Sequence, residues 1–290
     1  MTSTRVRAGL IATTALSALM MAGCSSTSEP EASGAGSASA SAEPTEVALE
    51  TLTEGKLTIA TGEPAYEPWV INDDPESGEG FEAAVAYAVA EELGFAAEDV
   101  VWVRSSFDSA IAPGAKDWDL NIQQFSITEE RKTAVDFSSP YYVTSQALVA
   151  VDGTDAASAT SVADLEGQLV GVAVGTTSYD VAVEKLGEDN IQVFNSVADV
   201  VGALNAGQID AFVTDLPGAF YSAYVEVDNG TIVGQFEGNE GGDEFGIVLP
   251  KGSALTAPVT AAVDALTEDG TLADLETEWL SEAADVPVLG

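Results

Sequence analysis

The chain is expected to fold as an α/β protein with mostly parallel sheets. Short β-rich runs alternate with helical stretches from Lys56 onward, and no segment recurs at the fixed period of a solenoid or propeller. Size agrees: 290 residues, 46% hydrophobic and 20% charged, suffice for the core of one large or two modest domains.

Leu57-Thr58-Ile59-Ala60 is the first strand, and Phe81 to Leu93 is a helix stopped by Gly94. Strands follow at Val100 to Val103 and Asp119 to Ile122. Thr128 is placed to cap a helix running through Val135, with Glu129 and Glu130 in the first turn where the helix dipole favours acids. Leu169 to Val174 is a strand and Tyr179 to Leu186 a helix. Ser196 caps a helix from Val197 to Asn205 that stops near Gly207. Ala211 to Thr214 is a strand, followed by Pro217 at a helix start. Gly246 to Leu249 is a late strand, and Pro258 to Leu280 holds two helices broken at Asp269-Gly270.

Composition excludes several functions. Nine Lys and Arg stand against 48 Asp and Glu, a formal charge of −39, so no face holds the basic patch that nucleic acid requires. Histidine is absent, which removes imidazole metal sites and every Ser-His-Asp or Cys-His arrangement. The single Cys forms no internal disulfide and no thiolate cluster, and neither metal nor cofactor is expected. The acids are scattered among Ala, Gly, Val and Thr, as on a solvated surface, and Asn72-Asp73-Asp74-Pro75-Glu76 lacks the ligand spacing of a calcium loop.

The N-terminus carries its own message. Arg5 and Arg7 precede an uncharged apolar run from Ala8 to Met20, too short for a comfortable membrane span. This reads as a secretory signal over residues 1–23. Met21-Ala22-Gly23-Cys24 then resembles the lipobox of bacterial lipoproteins, with Met21 where Leu is commoner. Cys24 is the expected lipidation site, and Ser/Ala/Gly/Glu-rich residues 24–54 form a flexible tether. The protein is thus expected outside the cell, anchored to the outer face of the membrane.

An ordered set of segments gives the folded part a family. It comprises Leu57-Thr58-Ile59-Ala60-Thr61 with Ala65-Tyr66-Glu67-Pro68-Trp69; Gly80-Phe81-Glu82; Phe125-Ser126-Ile127-Thr128-Glu129-Glu130-Arg131-Lys132; Val135-Asp136-Phe137-Ser138 with Pro140-Tyr141-Tyr142; Asp164-Leu165-Glu166-Gly167; Gly171-Val172-Ala173-Val174-Gly175-Thr176-Thr177; Gly207-Gln208-Ile209-Asp210-Ala211; and Pro250-Lys251-Gly252 with Asp269-Gly270-Thr271. Together they resemble the extracellular solute-binding proteins of polar amino-acid ABC transporters, the family of glutamine-, histidine- and lysine/arginine/ornithine-binding proteins. The resemblance implies a two-lobed periplasmic-binding-protein fold of type II, with two crossover strands and a ligand cleft between the lobes. Residues 55–144 would begin lobe 1, 145–245 form lobe 2 and 246–290 return to lobe 1. It also implies a monomer that captures a polar amino acid and hands it to an ABC transporter permease.

An α-amino acid needs a cation for its carboxylate and an anion for its ammonium. Arg131, three residues after Thr128, is the expected carboxylate clamp, because a guanidinium and helix-terminal N–H groups can converge on one anion; membership of a local ion pair is the competing reading. Ser126 and Thr128 can add donors to the same carboxylate, against plain turn and capping roles; the resemblance places the Ser126 and Thr177 positions on it, and Thr176, in the same strand-to-helix turn as Thr177, is counted with them. Asp215 matches the family's ammonium partner, against simple N-capping ahead of Pro217. Tyr66, Trp69 and Phe107 match positions walling the side-chain pocket, against a role in the core. Glu82 is expected at the pocket mouth or as a structural residue. Gln123 and Gln124 replace the small residues usual before the Ser-Ile-Thr motif, so a long amide there reaches the ligand or fills pocket volume, and Gln124 is counted with the pocket.

Binding without catalysis is the leading expectation. The alternatives are an enzyme of the same fold, a cyclohexadienyl dehydratase with Glu82 or Asp215 as general acid, and a ligandless sensory or interaction module.

Overall fold

The computed structural model describes residues 49–236, 243–280 and 286–290. The signal segment, Cys24 and most of the expected tether lie outside the described residues. The tether's final residues do not extend freely. The Leu52 N–H donates to Asp119 Oδ1 at 2.7 Å, and Leu49 packs on the first core, so the folded part includes Leu49 and does not start near Lys56.

The chain passes through β1 (Leu57–Thr61), α1 (Phe81–Glu92), β2 (Val100–Arg104), α2 (Phe107–Ile111), β3 (Leu120–Asn121) and β4 (Val135–Thr144). One residue, Ser145, separates β4 from β5 (Gln146–Val151), which already belongs to the second sheet. There follow β6 (Val170–Ala173), α3 (Thr177–Leu186), β7 (Ile191–Phe194), α4 (Val197–Asn205), β8 (Ala211–Asp215), α5 (Leu216–Tyr221) and β9 (Gly230–Phe236). Then come β10 (Asp243–Pro250), α6 (Thr256–Glu268), α7 (Thr271–Leu280) and β11 (Val288–Leu289).

The first sheet has the order β2-β1-β3-β10-β4 and the second β11-β9-β5-β8-β6-β7. All residues of β1 and β6 are buried, as expected for strands covered on both faces. Leu57, Ile59, Phe81, Val85 and Val259 form the first lobe's main core, with Trp118, Phe125 and Val248 on the opposite face. In the second lobe, Leu148, Val170 and Val213 face one side, and Val149, Val200, Leu204 and Phe212 the other.

Three expectations need correction. The sheets are mixed: β10 runs antiparallel to β3 and β4, and β5 antiparallel to β8 and β9, since at Ser145 the chain passes directly from one sheet to the other without a helix. The helix expected from Thr128 to Val135 is a 3-10 turn over Arg131–Thr133, since the chain enters β4 at Val135. The C-terminal segment returns to lobe 1 through β10, α6 and α7, but its last strand does not stay there, because β11 pairs with β9 in the second sheet.

Candidate functional site

The lobes meet where the chain crosses between them, and register puts polar groups there. Gln146 opens β5 opposite Asp215 of β8, while Asp243 opens β10 opposite Thr144 of β4. The buried Gln146 Nε2 donates to Asp215 Oδ1 and to Asp243 Oδ2, both at 2.7 Å. Its Oε1 accepts from the buried Ser178 hydroxyl at 2.7 Å. The Thr177 hydroxyl donates to Asp243 Oδ2 at 2.7 Å, leaving Ser126 Oγ to donate to Thr177 Oγ1 at 3.2 Å. Ser126 is itself fixed to β10 by a bridge with Phe245.

Arg131 forms the opposite wall. Its side chain folds back so that Nη1 donates to the Ser126 carbonyl at 2.7 Å, while Nη2 donates to the Gly175 carbonyl of the second lobe at 2.9 Å. The guanidinium lies over the Phe107 ring, 5.2 Å from its centroid, and Phe107 stacks on Phe125 at 4.8 Å. Arg131 is 8% exposed, and among the described residues no carboxylate lies within ion-pair distance of it. Burial pulls the guanidinium down from its usual pKa, opposed by the charges of Asp215, Asp243, Asp180 and Glu130. It nonetheless remains a cation.

Of these groups, Phe107, Ser126, Arg131, Thr177, Ser178 and Asp215 border a cavity of about 240 Å³ between the lobes. Tyr66, Trp69, Phe107, Gln124, Ser126, Arg131, Thr176, Thr177 and Asp215 all line it, so the residues singled out from sequence are brought together from both lobes. Within that set the roles differ. Trp69 is mostly core, 2% exposed and packed on Phe81, Tyr142 and Phe245. Thr176 caps α3, its hydroxyl accepting from the Tyr179 N–H and donating to the Ala173 carbonyl. Burial, then the nearby Asp243, push the Asp215 carboxyl up to about 7.

Glu82 is the exception. It is fully buried beneath the cavity wall and does not line it, because α1 starts at Phe81 and turns the carboxylate inward. There it accepts from the Tyr141 hydroxyl, from the Gln124 N–H at 2.7 Å and from Gln124 Nε2. Gln124 has left-handed backbone, φ 49°, and Glu82 satisfies both of its donors in that conformation. Burial raises the Glu82 carboxyl to about 7 despite these bonds.

Sequence reasoning missed Gln146, Ser178 and Asp243, which hold the site's polar groups in place. Their only signal is position: they sit beside the two crossovers and at the start of α3. It also missed the second lobe's Glu226, Tyr221 and Ser222 and the first lobe's Glu63 and Glu67, which complete the cavity wall.

Comparison with known proteins places this geometry. Residues 57–282 match the model of the bacterial extracellular solute-binding proteins, family 3. The L-arginine-binding protein of Pseudomonas aeruginosa is 30% identical over 244 residues, 81% of this chain and 92% of that protein. The glutamine-binding protein of the Bacillus subtilis ABC transporter is 28% identical over 214 residues, 72% of this chain and 76% of that protein. Among solved structures, an ancestral arginine-binding protein bound to glutamine superposes with a TM-score of 0.65 at 32% identity, covering 79% of this chain and 99% of the other. Two sheets joined by a direct crossover at Ser145, a cavity between them and a family match across nearly the whole folded part lead to one conclusion: this chain belongs to family 3 of the bacterial extracellular solute-binding proteins.

Proposed function

We propose that the protein captures an α-amino acid in the interlobe cavity and delivers it to the permease of an ABC transporter. It does so from the outer face of the membrane, held by a lipid on Cys24, without catalysing a reaction. One observation carries the ligand class. A buried guanidinium that has no carboxylate partner among the described residues, Arg131, and a carboxylate on the other lobe, Asp215, border one cavity. A zwitterion supplies the missing partner to each, and a buried charge left unpaired is costly.

Arg131, Ser126 and Thr177 receive the ligand carboxylate, the two hydroxyls turning from their present acceptors, Thr177 and Asp243, to do so, and Asp215 receives its ammonium. Tyr66, Phe107 and the cavity face of Gln124 bound the side chain. A ligand contacting Arg131 on one lobe and Asp215 on the other favours the closed arrangement.

The test is a thermal-shift screen of the purified protein against the twenty amino acids, prephenate and arogenate. A ligand at about 100 times its Kd stabilises by about 2.7 kcal/mol, which is readily measured. A shift with one or a few α-amino acids upholds the reading. A shift with prephenate or arogenate alone, with turnover, would replace it by the dehydratase alternative.

A further inference from the structure

The charges of the cavity do not balance once the backbone groups of an α-amino acid are matched. Among the described residues its walls carry one cation, Arg131, against four carboxylates, Glu63, Glu67, Asp215 and Glu226. With Arg131 given to the ligand carboxylate and Asp215 to the ammonium, three acids remain for the side chain, and no base.

Glu226 is the most firmly built of them. It ends a π-helical turn, Ser222–Glu226, that continues α5, and π turns are concentrated at functional sites because they re-aim side chains. The Ser222 hydroxyl, 3% exposed, donates to Glu226 Oε2 at 2.9 Å and fixes the carboxylate. Asn205 Nδ2 donates to the Glu226 carbonyl at 2.9 Å and fixes the end of the turn. From the first lobe, Glu67 is oriented by the Asn72 N–H at 3.2 Å. Both carboxylates act on Tyr221, whose hydroxyl is raised by burial, then Glu226, then Glu67. Tyr66 is raised by burial and then by Glu226.

Carboxylates from opposite lobes, Glu67 and Glu226, thus line one cavity together with Tyr66 and Tyr221. Closing the lobes concentrates their negative charge, a cation between them relieves the repulsion, and aromatic faces add to its attraction. A neutral side chain of the same shape offers neither effect.

We infer that the side-chain end of the cavity selects α-amino acids ending in a guanidinium or primary ammonium, with Glu226 of the π turn as the specificity-determining residue. This rests on the amino-acid-binding reading above.

Isothermal titration of the whole protein with two near-isosteric pairs tests it: L-arginine against L-citrulline, and L-lysine against L-norleucine. At least one cationic member binds about tenfold or more tighter than its uncharged counterpart, a difference of about 1.4 kcal/mol. Glu226→Gln shrinks that ratio severalfold, whereas Glu226→Asp, which keeps the charge, restores part of it. Equal or tighter binding of citrulline and norleucine by the unmodified protein overturns the inference, as does an unchanged ratio in a folded Glu226→Gln protein. Should that variant fail to fold, Glu67→Gln reads the same ratio from the other lobe, and no change there overturns it equally. Failure to bind any α-amino acid is distinguishable from these results and overturns the parent reading as well.

Discussion

The hydroxyls of Ser126 and Thr177 meet at 3.2 Å, although one belongs to the first lobe and the other to the second. Together with the Arg131 bond to the Gly175 carbonyl, this contact ties the lobes across the cavity. Closure therefore uses the same side chains that are proposed to hold the ligand carboxylate, so binding and closure are coupled through shared atoms.

Removing either charge of the site weakens ligand binding. Charge-assisted hydrogen bonds contribute about 1.5–3 kcal/mol each, so Arg131→Met or Asp215→Asn reduces affinity about tenfold or more. Calorimetric titration of each folded variant with an amino acid bound by the unmodified protein checks this. Unchanged affinity would remove the substituted residue from the site.

Stability and affinity respond to pH in opposite directions. Asp215 and Glu82 are each raised to about 7, against about 4 in an unfolded chain. Between these values the folded state holds more protons than the unfolded one, so their contribution is full at the acid end and is lost as pH rises through about 7. The melting temperature of ligand-free protein should fall over this window. Asp215→Asn and Glu82→Gln should each flatten the fall relative to the unmodified protein, which separates these groups from general repulsion among the surface acids. Amino-acid affinity rises over the same window, because the ammonium needs Asp215 ionised. Parallel trends would refute the assignment.

Glu82 supports the wall and leaves the chemistry to others. Three donors converge on its carboxylate, from Tyr141 and Gln124, and the amide of Glu82→Gln must turn its own donors toward them. A cost of about 1–3 kcal/mol follows from the unsatisfied buried groups. Denaturant unfolding measures it, and a loss well below that range would show that the carboxylate is dispensable.

Gly230 keeps the π turn in place. A β-carbon there would lie 2.9 Å from the Ala223 Cα and closer still to the Ala223 carbonyl oxygen, both backbone atoms that cannot rotate away. Gly230→Ala should cost about 1–3 kcal/mol of stability by overpacking. Thermal unfolding checks this, and an undiminished melting temperature would mean that the turn yields easily.

What the sequence made legible depended on whether a signal was local. The helix over Val197–Asn205 is read correctly at both ends because Ser196 caps it and Gly207, with φ 64°, ends it. Thr128 does accept the Arg131 N–H at 3.1 Å, as a cap should, yet no helix follows. Arg131 spends its side chain on Ser126 and Gly175 instead, and β10 draws the next residues into β4. The motif residues Ser126, Arg131, Thr177 and Asp215 could be named because their neighbours carry a recognisable pattern. Asp243 could not, since one acid among 48 has no local mark, and its place opposite Thr144 exists only once two distant strands pair. Gln146 and Glu226 were hidden for the same reason, the one by a sheet crossing and the other by a π turn that no periodicity announces.

The most direct test of the central claim compares a bound α-amino acid with its N-acetyl and methyl-ester derivatives by isothermal titration. Acetylation removes the cation proposed to face Asp215, and esterification the anion proposed to face Arg131. Each derivative should bind about tenfold or more weaker than the parent, with the two effects lost selectively in Asp215→Asn and Arg131→Met. Derivatives that bind as tightly as the parent would contradict a site built around the zwitterion.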